Sequence, residues 1–162
     1  MESNIANRRL SIIREVSANY RKTGIHRFKI SGPEDAARMV ARVLPDNSRE
    51  HFVSLHLDAS HQVISYSITA TGTANSCPVH PREVFQIAFL VGAVAVIVGH
   101  NHPSGEAAPS TEDEKVTNTL TEAGELLCLK VLDHVIVSDD HFYSFSSGLK
   151  VAWATTARQT AH

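Results

Sequence analysis

Two histidines two residues apart, in the run His100-Asn101-His102-Pro103-Ser104-Gly105, are followed by Ser110 and Asp113. On an extended backbone side chains repeat every second residue, so the two imidazoles face the same side. A carboxylate eleven residues beyond His102 returns to them if a loop turns into a helix in between. Two imidazole nitrogens and one carboxylate oxygen leave one tetrahedral position open, as a catalytic rather than a structural zinc requires. The chemistry expected of this pattern is metal-dependent hydrolysis. Each part also has a plainer reading. An isolated His-x-His is common in surface loops. Ser110-x-x-Asp113 has the form of a capping box, with an acidic side chain favoured by the helix dipole. The two readings of Ser110 are compatible, since it can cap with a lone pair and still offer its hydroxyl proton.

The elements that must position these residues follow from the pattern around them. Residues 93–98 are a continuous apolar, β-branched run, expected as a strand buried on both faces. It delivers the chain to His100 and His102 at a strand end, where α/β folds expose reactive groups. A loop over 103–109, rich in Gly, Pro and Ala, then leads into a long helix from Ser110 to about residue 126. Upstream, residues 52–58 alternate, with Val53, Leu55 and Leu57 on one face and Phe52, Ser54 and His56 on the other. A turn over 58–61 and a partner strand over 63–69 complete a hairpin. Glu50 stands at the start of that first strand, on the Phe52 face. By itself it reads as an ordinary exposed glutamate.

Elsewhere, Phe28 and Ile30 suggest a short strand, and Pro33 opens a helix that Pro45 stops. Pro81 opens another, carrying Val84, Ile87, Ala88 and Val91 on its apolar side. Residues 129–137 form a strand, Asp139-Asp140 a turn and residues 142–145 a last short strand. Beyond Lys150 little pattern remains apart from Val151 and Trp153. Strands alternating with helices give the α/β class with a mixed sheet. His134, inside an apolar strand, reads as a hydrogen-bonded core histidine. His26, His56, His61 and His141 read as surface residues. His80 and Ser104 either line the cleft or serve as cap and turn residues.

With 162 residues and 43% hydrophobic content, one domain with short extensions is expected. The net charge of −2 and pI near 6.5 exclude a molecule that binds nucleic acid by overall charge. The charge is unevenly placed. Residues 1–30 hold Arg8, Arg9, Arg14, Arg21, Lys22, Arg27 and Lys29 against only Glu2 and Glu15. In the same segment Ile5, Ile12, Ile13, Val16 and Tyr20 fall at roughly helical spacing, and Gly24 ends the pattern. An amphipathic helix is expected there, packed on the domain or on a second copy in a homo-oligomer. Contact of its basic face with nucleic acid is the secondary reading. Cys77 and Cys128 lie far apart without a CxxC pairing, which fits a reducing compartment. No signal peptide is evident, and the longest apolar stretch, 87–98, is broken by Gly92 and too short to span a bilayer. A cytoplasmic protein without a membrane anchor is expected.

Taken together, Glu50, His100-x-His102, seven intervening residues, Ser110, two more and Asp113 resemble the JAMM motif of the MPN+ (JAB-domain) metallohydrolases. Arg49-Glu50-His51-Phe52, Val79-His80-Pro81-Arg82-Glu83-Val84-Phe85, the His100 run and Leu132-Asp133-His134-Val135-Ile136-Val137 are similar to the RadC branch. The resemblance covers about residues 31–149. It implies a cytidine-deaminase-like α-β-α sandwich with a mixed central sheet over 31–150, between a basic helical extension over 1–30 and a tail over 151–162. It implies Zn²⁺ held by His100, His102 and Asp113, Glu50 as general base and Ser110 as oxyanion donor. Cys77 lies in a loop able to approach the metal, but the implied ligand set is complete without it. A zinc metallopeptidase or isopeptidase acting on a peptide or protein follows as the expectation. Longer RadC proteins usually carry an N-terminal helix-hairpin-helix DNA-binding region, which 30 residues are too few to contain. A stand-alone form is expected, with a DNA-repair-associated role as the second reading.

Overall fold

The computed structural model describes Arg21, residues 23–72 and residues 79–153. The expected N-terminal helix, the loop carrying Cys77 and residues 154–162 lie outside the described residues. Helix α1 (Pro33–Val43) begins where Gly32 caps and Pro33 supplies a pre-set φ at the first helical position. Asp35 in its first turn accepts the backbone N–H of Ser31 at 2.9 Å. The chain continues through β1 (Glu50–Leu57), β2 (Val63–Gly72), α2 (Pro81–Leu90), β3 (Ala95–Asn101), α3 (Thr111–Leu126), β4 (Lys130–Val137), β5 (His141–Ser144) and β6 (Leu149–Ala152).

The strands form a six-stranded sheet in the order β2-β1-β3-β4-β5-β6. Strands β3 and β4, joined through α3, run parallel, while the other neighbouring pairs are antiparallel. The α/β expectation holds, with a mixed sheet flanked by helices. Two cores lie on its two faces. Val53, Leu55, Leu57, Ile97, Val135 and Val137 pack with Ala36, Ala37, Met39, Val40 and Val43 of α1. Phe52, Val96 and Val98 pack with Val84, Phe85 and Ala88 of α2 and Leu120 of α3. The alternation along β1 thus sorts residues between two helical layers rather than between core and water. Gly99 sits where α1 crosses β3: a Cβ there would lie 2.7 Å from Val40 Cγ2. That close approach sets the helix against the strand while His100, one residue on, faces the opposite layer.

Several expectations change. His56 is fully buried rather than at the surface, its Nδ1 2.7 Å from Ser65 Oγ. The polar face of β1 looks solvent-bound in sequence, but the sheet is covered on that side as well. His141 is half-buried in β5. Strand β3 starts later than the apolar run and extends through Asn101, so His100 is part of the strand. The strand expected around Phe28 and Ile30 reduces to a bridge between Lys29 and Gln62. Residues 149–152, of which 151 and 152 were expected as tail, form β6 on β5. It is exposed along its length, so no alternation between core and solvent marks it. Among the described residues, no helix is long and apolar enough to cross a membrane.

Candidate metal centre

Three elements meet at one end of the sheet. Antiparallel pairing of β1 with β3 sets Phe52 opposite His100, which carries Glu50 to the end of β3. The His102 N–H bonds to Val137 O at 3.0 Å, so the chain keeps its line beyond β3 and His102 repeats the side of His100. Asp113 arrives on the first turn of α3. His100 Nε2 lies 2.9 Å from His102 Nε2 and 3.1 Å from Asp113 Oδ1. His102 Nε2 is 3.6 Å from Asp113 Oδ2. One ligand atom each from Glu50, His100, His102 and Asp113 lies within 4.8 Å of the others.

The start of α3 is fixed by the capping box. Ser110 Oγ accepts the Asp113 N–H at 3.2 Å, and Asp113 Oδ2 accepts the Ser110 N–H at 2.8 Å and its hydroxyl at 2.6 Å. Asp113 Oδ1 is left to face His100. Without a metal, burial acts to raise the Asp113 carboxyl, but hydrogen bonds from the charged forms of His100 and His102, the His100 charge and the Ser110 bond hold it far below the usual carboxylate range. Burial acts to lower the His102 imidazole. In its charged form the ring's bonds to Asp113 and the Glu106 carbonyl, with the charges of Asp113 and Glu50, outweigh that and raise it. The site attracts positive charge.

Whether these residues suit a metal is decided by where their lone pairs point. His102 Nδ1 lies 2.8 Å from the backbone carbonyl of Glu106, which can only accept. The proton of neutral His102 is therefore on Nδ1, and Nε2 turns a lone pair toward the His100 ring and the carboxylates. A ligating histidine is set in this way, its second nitrogen donating to a carbonyl. Two imidazole nitrogens and carboxylate oxygens around one point suit a divalent transition metal. The donor set fits.

Residues 30–150 match the family model of the RadC-like JAB domain. The chain belongs to this family. A UPF0758 protein of Bacillus cereus (strain AH187) is 45% identical over 119 residues, 74% of this chain and 53% of the relative. One from Chlorobium chlorochromatii is 43% identical over 117 residues, 72% and 53% of the two chains. Another from Desulforamulus reducens is 45% identical over 121 residues, 75% and 53%. The chain spans about half the length of these curated relatives.

Within this RadC-like JAB domain, Asn101 has a part that the sequence did not disclose. It points away from its histidine neighbours and is 3% exposed. Its Oδ1 accepts the His51 N–H at 2.8 Å, and its Nδ2 donates to Arg49 O at 2.7 Å and Asn47 Oδ1 at 2.8 Å. The backbone on both sides of Glu50 is thereby clamped to β3. A polar residue between two strand histidines was the available signal. His134 is a buried hydrogen-bonded histidine, as expected: its Nε2 is 2.9 Å from His100 Nδ1 and its Nδ1 2.6 Å from Thr117 Oγ1. Burial, then the neighbouring His100 charge, push it well below the ordinary imidazole value. Thr117 carried no signal in the sequence beyond its place on α3. His80 takes the N-cap position of α2 without a side-chain cap bond, and Ser104 lies exposed in the turn after β3.

Proposed function

We propose that this RadC-like JAB domain is a zinc-dependent metallohydrolase that cleaves peptide or isopeptide bonds in a peptide or protein substrate. The observation that carries the reading is the convergence of Glu50, His100, His102 and Asp113 from β1, the end of β3 and α3. His100, His102 and Asp113 would hold the metal and leave a position open. Bound zinc supplies Lewis acidity, making water a nucleophile near pH ~7 and polarising the scissile carbonyl. Glu50 takes the proton of the attacking water and returns it to the leaving amine. The water oxygen bonds to the carbonyl carbon, the C–N bond breaks, and the proton ends on the amine nitrogen. Ser110 donates its hydroxyl to the oxyanion, turning it from Asp113 Oδ2, where it rests at 2.6 Å. With only Cys77 and Cys128 in the sequence, a reducing compartment, the cytoplasm, is the proposed setting.

The test is hydrolysis of a panel of peptide and isopeptide-linked substrates by the zinc-loaded protein. Cleavage is expected to stop on chelation and to return when zinc is added back. Cleavage indifferent to a chelator would contradict metal chemistry, and a zinc-loaded protein that cleaves none of the panel would contradict the substrate class.

A further inference from the structure

The geometry points to Thr117 and His134 as positioning residues that fix the tautomer of His100. We infer that a directed chain of protons runs from His100 through His134 and Thr117 to the backbone carbonyl of Asp113. Its direction follows from the last member. The Thr117 hydroxyl donates to Asp113 O at 2.6 Å, a carbonyl that can only accept. A hydroxyl has one proton, so at its 2.6 Å contact with His134 Nδ1 the threonine oxygen is the acceptor. His134 therefore carries its proton on Nδ1. Its Nε2 is then a lone pair, and at 2.9 Å from it His100 Nδ1 must be the donor. The lone pair of neutral His100 is left on Nε2, toward His102 and Asp113. His102 reaches the same state independently through the Glu106 carbonyl.

The chain closes on itself, because Asp113 supplies both the terminal carbonyl and a carboxylate of the site. Its setting suits a fixed tautomer. His134 is 1% exposed, stacked on Phe145 with ring centres 4.8 Å apart and an angle of 9°. Phe52 lies against both His100 and His134, at 5.8 and 5.4 Å between ring centres. The rings cannot turn over without breaking this packing, and water has little access to exchange partners. The parallel register that sets Val98 opposite His134 makes the contact possible.

The consequence for metal affinity rests on the function proposed above, whereas the proton order does not. Nitrogen-15 spectra of histidine-labelled protein read the tautomer directly, in metal-free and zinc-loaded samples. His134 is expected as the Nδ1–H form in both. Thr117→Val keeps the shape but removes the acceptor, so His134 should lose that signature. Zinc affinity, from competition with a chelator of known strength, should then fall by about 10- to 100-fold, the usual effect of removing a partner behind a ligand. Thr117→Ser should retain both properties. Wild-type His134 protonated on Nε2 would overturn the inference, as would a Thr117→Val protein with unchanged zinc affinity. The expected tautomer in a protein that binds no zinc would support the proton order and overturn the metal reading instead.

Discussion

Replacing Glu50 with Gln is expected to lower the turnover of a cleaved substrate by about 10²- to 10⁴-fold, the typical contribution of a positioned general base. The amide has the shape of the carboxylate but cannot take a proton from water. Metal content and melting temperature should stay as in the wild type, because Asn101 holds the backbone of residues 49 and 51 whatever side chain stands between them. Turnover together with elemental analysis separates three outcomes. Lost turnover with metal retained assigns Glu50 as the base. Lost turnover with lost metal would make it a ligand. Unchanged turnover would return it to an ordinary glutamate and remove the proposed proton path.

A second large effect concerns acid stability. Burial lowers the folded-state pKa of His56 from 6.5 to about 4. Between these values the unfolded chain binds a proton that the folded chain does not. Stability therefore rises with pH across this window and is lost as pH falls from 6.5 toward 4, reaching about 3 kcal/mol for this residue. His134 shifts in the same direction, so the test is a difference. Urea unfolding of wild type and His56→Leu, both metal-free, should show the variant losing about 3 kcal/mol less over the window. The leucine leaves Ser65 Oγ without its histidine partner, which lowers stability at neutral pH by about 1–3 kcal/mol. The change with pH is accordingly the quantity to compare, not the level. Equal losses in the two proteins would contradict a neutral, buried His56.

His56 also shows where sequence reading failed. Alternation along β1 sorts its residues into two sets correctly, but it does not say that a second helical layer covers the polar set. That is a property of the strand's place between β2 and β3, with helices on both faces of the sheet. By contrast, the approach of β3 to the site and the capping box at Ser110 were local and legible. Glu50 was not local. It lies 50 residues from His100, and only the antiparallel register of β1 on β3, or the family resemblance, brings the two together. The His134 contact depends similarly on the β3–β4 register. A lone histidine in an apolar strand announces that it needs partners, but not which ones. Strand β6 escaped because an exposed edge carries no apolar period.

Metal stoichiometry decides whether His100, His102 and Asp113 hold an ion. Elemental analysis after saturation with zinc and removal of the excess should find about one metal per chain in the wild type. His102→Ala removes a ligand outside the Thr117–His134 chain, and a folded variant should retain close to none. A wild type without bound metal, or a folded His102→Ala protein that keeps its full complement, would rule this site out.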